Sequence, residues 1–263
     1  DYHGYGKATK PLLPFIAIPT TAGTGSECQS YALVSRDDSH EKMACGDPTA
    51  RARIAILDPE LTATQPKSVA ILTGLDALAH ALESAVSTKR NAISSIHSES
   101  AFRHLVGAIG NVIAGRASAD ERGHMQLGAA LAGLAIENSM LGAAHATANP
   151  LTARHNVIHG HAVALMLPHV MRFNAEVPAA GAIYSRFSDI LQESGVTSLS
   201  LIDWVEQLVA QSAFPTLNRT TAELAELAED ASRQWTGKFN PRPLQVDDFV
   251  ALYRRAFGLN GAA

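Results

Sequence analysis

The chain has 263 residues, 46% of them hydrophobic, enough to bury a sizeable core as one large domain or two smaller ones. Its 21 basic and 25 acidic residues leave a formal charge of -4, so there is no basic field to hold nucleic acid or an anionic membrane. Cys28 and Cys45 are too few for a disulfide framework and point to a reducing compartment, the cytoplasm.

The opening segment, DYHGYGKATKPLLP, lacks a signal-peptide pattern, and no stretch reads as the roughly 18 to 20 apolar residues of a membrane span. Phe15 to Pro19 (FIAIP) is a short β-rich run that delivers TTAGTGSE, a glycine and threonine loop, at its carboxyl end. Tyr31 to Val34 and Ile54 to Leu57 are further strands, separated by SRDDSHEK and GDPTARAR. From Pro66 onward alanine- and leucine-rich helical patterns take over. The spacing predicts helices near 66–88, 92–115, 119–140, 159–174, 178–194, 198–212, 220–234 and 246–257. Ser118 and Glu121 form a capping-box signal before the third of these, while PTLNR and TGKFNPRPL are loops. The expected class is α/β followed by all-α, divided at about residue 62: an α/β portion over 1–62 and a helical domain over 63–263.

Four side chains stand where a divalent metal would need them. Asp76 and His80, four apart in GLDALAHALES, share one face of a helix one turn apart, and His145 and His159 lie in the histidine-rich segment that follows. Three imidazoles and one carboxylate leave an ion positively charged with an open position, which suits catalysis better than a structural staple. Taken alone, Asp76 and His80 also fit a plain hydrogen bond one turn apart. Any single later histidine fits an ordinary core or surface imidazole, as His161 and His169 do. Asp76 nonetheless lies on a helix apolar around most of its circumference, and a buried carboxylate is costly unless paired or coordinated.

PFIAIPTTAGTGSE, EKMACGDP, LDPELTATQP, GLDALAHALES, the fourteen-residue step from His145 to His159, HGHAVALMLPHVMRFN and TGKFNPRP occur in that order. Together they resemble the iron-containing (group III) alcohol dehydrogenases, across nearly the whole chain. That resemblance implies a dehydroquinate-synthase-like fold: a dinucleotide-binding α/β domain, represented here by its remainder over 1–62, and a C-terminal helical metal-binding domain, with the active site in the cleft. It places Asp76, His80, His145 and His159 on the family's metal ligands. Thr20, Thr21, Thr24 and Ser26 would lie along NAD or NADP, and Lys42 would contact the ribose. The implied metal is Fe(II) or another divalent ion, since zinc, cobalt, nickel and manganese suit the same donors. The implied substrate is a small alcohol or its aldehyde or ketone, activated by the metal for hydride exchange with the nicotinamide.

Two departures stand out. Many members of the family carry a second histidine four residues after the one matching His145, where this chain has Asn149, and asparagine cannot shuttle a proton. Proton release is therefore expected through water or His155. The family's glycine-rich phosphate loop also has no counterpart, and the first residue is Asp1, so the expectation is the C-terminal portion of a longer enzyme. Rival readings are a non-catalytic metal-binding remnant, or a sibling such as a glycerol dehydrogenase or maleylacetate reductase. Arg154 is either a contact for an anionic or polyol substrate or a solvated side chain, and the small-residue stretch GAALAGLA permits close helix packing and a homodimer.

Overall fold

The computed structural model describes residues 2–10, 12–37, 42–217 and 220–259, with the side chains of Ser35 and Lys42 outside the description. Among the described residues, the first sixty carry five short strands: β1 (Gly4–Tyr5), β2 (Ile16–Ala17), β3 (Tyr31–Ser35), β4 (Lys42–Gly46) and β5 (Ile54–Ala55). One sheet has the order β1-β4-β3, with β1 parallel and β3 antiparallel to β4. The other is the parallel pair β2-β5, with Ile16 opposite Ile54. Parallel strands ordinarily bury both faces, yet Phe15, Ile16, Ile18, Ile54 and Ile56 are all exposed here.

The remainder is helical: α1 (Lys67–Val86), α2 (Ala92–Ala114), α3 (Ala119–Glu137), α4 (Ala143–His155), α5 (His159–Asn174), α6 (Pro178–Glu193), α7 (Leu201–Gln211), α8 (Thr221–Arg233) and α9 (Val246–Ala256). Eight of these match the helices expected from spacing, and the Ser118–Glu121 capping box closes as its sequence requires. Strands β2, β3 and β5 fall within the expected runs. The short pieces β1 and β4 were not expected. Of the loop PTLNR, residues Asn218 and Arg219 lie outside the described residues.

Helix α4 is the chief correction. Its sequence, AAHATANPLTARH, has no clear apolar period and contains Pro150, so spacing and breaker rules both argue against it. Tertiary contacts supply what local preference withholds. Two of its orphan N-terminal N–H groups are capped from elsewhere, Ala143 N–H by Asn240 Oδ1 at 3.2 Å and Ala144 N–H by Glu83 Oε1 at 2.7 Å. Downstream, the Thr147 carbonyl accepts a 2.6 Å hydrogen bond from the buried Tyr253 hydroxyl.

Helix α1 runs through the centre of the helical body, packed against α2, α3 and α5. By length and composition alone it would pass as a membrane span, with a mean hydropathy of 1.4, contrary to the sequence expectation; most of it is buried inside the fold. Gly160, the second residue of α5, explains how close the two site-bearing helices come. A Cβ there would lie 2.5 Å from the Leu72 carbonyl oxygen on α1, backbone that cannot turn aside. Gly160→Ala is therefore expected to cost about 1 to 3 kcal/mol, the usual range for overpacking. It should also weaken metal binding, because it pushes His159 away from α1; thermal melting and a metal titration on the same variant check both effects.

The stretch GAALAGLA (Gly128–Ala135) is used within the chain. A Cβ on Gly128 would meet Leu105 Cγ at 2.7 Å, and one on Gly133 would collide with the Gly25 carbonyl oxygen. These small residues seat α3 against α2 and the threonine loop, so they carry no argument for a dimer.

Candidate metal centre

Three helices bring the four expected ligands together. Asp76 and His80 lie one turn apart on α1, His145 is the third residue of α4, and His159 is the first of α5. Asp76, His80 and His145 are buried, while the His159 side chain is 25% exposed. Asp76 Oδ1 makes no well-formed hydrogen bond. Its neighbours are the Nε2 atoms of His145, His80 and His159 at 3.4, 3.5 and 3.9 Å. The His80 and His145 Nε2 atoms themselves stand 3.1 Å apart, their rings stacked with centroids 4.9 Å apart.

Donor atoms bound at about 2.1 Å from one ion stand roughly 3 to 4 Å from each other. The distances to Asp76 Oδ1 and between His80 and His145 fall in that range. Asp76, His145 and His159 present donor atoms all within 4.8 Å of one another, a tighter group that does not take in His80. The plain i,i+4 hydrogen bond between Asp76 and His80 does not form well at 3.5 Å. An orphaned buried carboxylate oxygen facing imidazole nitrogens is thus explained by a shared cation, and the donor set fits a divalent transition ion.

Glu83, one turn beyond His80 on α1, was not singled out from sequence. Its buried carboxylate accepts the Ala144 N–H through Oε1 and hydrogen-bonds His145 Nδ1 through Oε2. That contact holds a proton on Nδ1 and leaves Nε2 facing the cluster, as a carboxylate behind a ligating histidine does. The available signal was spacing: positions 76, 80 and 83 share one helix face.

The electrostatics follow from burial and crowding. For Asp76, burial opposes ionisation, but the surrounding His80, His145 and His159 outweigh it and hold the carboxyl well below its usual range. Burial likewise pushes His145 down, yet Glu83 and Asp76 together override it and raise the imidazole to about 9. His80 moves the other way: burial lowers it, with Asp76 opposing.

These directions give a sign for metal uptake. At pH 7.5 the metal-free His145 is protonated, so binding must expel about one proton, and affinity should rise about tenfold per pH unit until about pH 9. Calorimetry in buffers of different ionisation heat counts that proton; a count of zero at pH 7.5 contradicts the assignment.

Beside His145 and His159 lies a cavity of about 220 Å³, walled by Tyr31, Leu33, Ile136, Met140, Leu141 and Trp235 and by the polar Asn149 and Gln234. It shares Tyr5, Tyr31, Ala44, Asn149, Gln234 and Trp235 with an outer cavity of about 730 Å³. Apart from its histidines, the inner cavity's described lining has one acidic residue, Glu137, which accepts both the Ser30 N–H and hydroxyl at 2.9 Å. Asn149 donates to Gln234 Oε1 at 3.0 Å. His155 ends α4 and is among the lining residues of neither cavity. Arg154 is held by Asp230 and Glu226, fastening α4 to α8.

In the threonine loop, Thr20, Thr24 and Ser26 are exposed and Thr21 is partly so, with the Thr24 hydroxyl 3.0 Å from that of Ser26. Gly25 takes a left-handed φ of 59° and approaches Ala129 O so closely that a Cβ would lie 2.5 Å from it. The loop backbone is thereby seated on α3 while its hydroxyls face outward. The Lys42 side chain lies outside the described residues.

A family model described as "Fe-containing alcohol dehydrogenase family, C-terminal" matches residues 70–257, and one described as "Iron-containing alcohol dehydrogenase" matches residues 1–59. The chain belongs to the iron-containing alcohol dehydrogenase family. Alcohol dehydrogenase 4 of Schizosaccharomyces pombe is 32% identical over 97% of this chain, and lactaldehyde reductase of Escherichia coli is 31% identical over 97%. The chain spans 62% of the length of the first of these relatives and 68% of the second. Sulfoacetaldehyde reductase from Bifidobacterium kashiwanohense, solved in complex with NAD+, superposes with a TM-score of 0.86 at 27% identity, covering 98% of this chain and 69% of that one. The part of the iron-containing dehydrogenase fold that this chain spans is thus a small α/β portion followed by a helical body, the class expected from sequence.

Proposed function

We propose that this chain carries the metal-binding part of an oxidoreductase that moves hydride between a small alcohol and NAD or NADP. The observation that carries the reading is the convergence of Asp76 Oδ1 with the His80, His145 and His159 Nε2 atoms, braced by Glu83. Those four residues would hold a divalent ion, iron by family likeness. When bound, the ion supplies a Lewis acid that lowers the pKa of a substrate hydroxyl.

The remaining work falls to the chain itself. Ile136, Met140, Leu141 and Trp235 keep water from the inner cavity and pack the substrate's carbon chain. Asn149, steadied by Gln234, orients a hydroxyl by hydrogen bonding but carries no proton. Glu137 puts a carboxylate in the inner cavity's wall, and Arg154 is occupied, which favours neutral alcohols over carboxylate- or sulfonate-bearing ones. The outward hydroxyls of Thr20, Thr21, Thr24 and Ser26 suit the ribose and pyrophosphate of a dinucleotide, with Lys42 assigned to the ribose by likeness. The exposed aliphatics of β2 and β5 support reading residues 1–62 as part of a dinucleotide-binding α/β domain, with 63–263 as the metal-binding domain. The free cysteines suit the cytoplasm.

A metal-binding chain without turnover is the second reading, favoured by Asn149, which lines the inner cavity with His145 and carries no proton. NADH titration of the metal-loaded protein, followed by Trp235 fluorescence, separates the two. Quenching together with oxidation of short primary alcohols supports the enzyme; bound metal with no quenching and no turnover supports the remnant.

A further inference from the structure

Away from the metal centre, the seam between α2 and α3 brings two more imidazoles together. His104 Nδ1 and His124 Nδ1 stand 2.9 Å apart, with ring centroids 5.1 Å apart and planes tilted by 32°. We propose that His104 and His124 form a second metal site, a two-histidine clamp on the protein surface for a borderline transition ion such as Ni(II), Cu(II) or Zn(II).

Three observations carry this assignment. First, the nitrogen separation matches two ligands at right angles on one ion, which at about 2.1 Å each stand roughly 3 Å apart. Second, the far side of the His124 ring faces Asp120, with Nε2 3.8 Å from Oδ2 one turn away on α3. At that distance there is no hydrogen bond, but the carboxylate places a negative charge on the His124 side of the pair, which favours a cation bound there. Third, the His124 side chain is 47% exposed, so an ion held there keeps positions open to water and can enter from solvent. His104 is pushed toward its neutral, ligating form by burial and by His124. Without an ion the pair makes do with a single N–H···N hydrogen bond; when an ion binds, the proton of that bond moves to Nε2 of its own ring and both Nδ1 lone pairs ligate the metal.

The donors also set the ligand class. Two imidazoles select nickel, copper, zinc or cobalt and disfavour magnesium and calcium, which require oxygen. Neither residue contributes to the cluster around Asp76, so the two sites should be separable by mutation.

Isothermal titration of the chain with Ni(II), with circular dichroism to verify the fold, tests the proposal. Wild type should bind two equivalents, one tight and one weaker. His104→Ala and His124→Ala should each lose the weaker equivalent alone, and Asp120→Asn should weaken it several-fold. Asp76→Ala combined with His145→Ala should keep only the weaker one, and Ni(II) should raise the melting temperature of that double variant until His104→Ala is added. Mg(II) should leave the pair empty. A single equivalent in wild type, or a second equivalent surviving His104→Ala, overturns the clamp. Loss of the tight equivalent in the Asp76 and His145 variants speaks to the metal centre and leaves this test intact.

Discussion

Asp76→Ala and His145→Ala are each expected to abolish stoichiometric binding at the metal centre, an effect exceeding the roughly 10- to 100-fold loss that follows removal of a supporting residue. Asp76 is the cluster's only anionic donor, and three imidazoles alone would leave a buried ion with its full double charge. His145 is the link between the cluster and Glu83, so its loss removes both a donor and the brace. Asp76→Asn retains the side-chain shape and removes the charge, separating loss of ligation from loss of packing. Equilibrium dialysis against cobalt, with the melting curve as a control for folding, reads the outcome; near wild-type affinity in a folded Asp76→Asn protein would contradict the assignment.

Glu83→Gln is expected to lower affinity at the same centre about 10- to 100-fold while leaving the fold largely intact. The glutamine carbonyl can still accept the Ala144 N–H. Its amide N–H₂ would then face His145 Nδ1, which must turn acceptor, so the imidazole proton moves to Nε2 and points into the metal position. Glu83→Ala is a harsher change. It strands a buried N–H on α4 and the Nδ1 of His145, each worth about 1 to 3 kcal/mol when unsatisfied. Thermal melting should thus separate the two variants, with metal affinity reduced in both; unchanged affinity in Glu83→Gln would show that Glu83 is a helix cap only.

The four proposed ligands stand out in the sequence because each sits in a segment whose character is plain: an apolar helix for Asp76 and His80, and a cluster of histidines among alanine and valine for the others. What sequence could not convey was the element that aims His145. Helix α4 exists because Glu83, Asn240 and Tyr253 bind its backbone across gaps of 61, 97 and 106 residues, and no local window contains that information. Glu83 was hidden for a related reason, since on an isolated helix a glutamate reads as solvent-facing. The cavity walls combine β3, the end of α3 and the turn at Trp235, a juxtaposition set by packing alone. The small residues of GAALAGLA were legible as permitting close packing, but not that Gly25 and Leu105 are what rests on them.

X-ray absorption at the metal edge of protein loaded with one equivalent of Fe(II) or Co(II) tests the central claim most directly. The predicted spectrum contains three imidazole shells and one carboxylate oxygen at about 2.0 to 2.2 Å, and it loses one imidazole in His159→Ala. A shell made of water and carboxylate oxygen, or one unchanged in His159→Ala, would contradict the account.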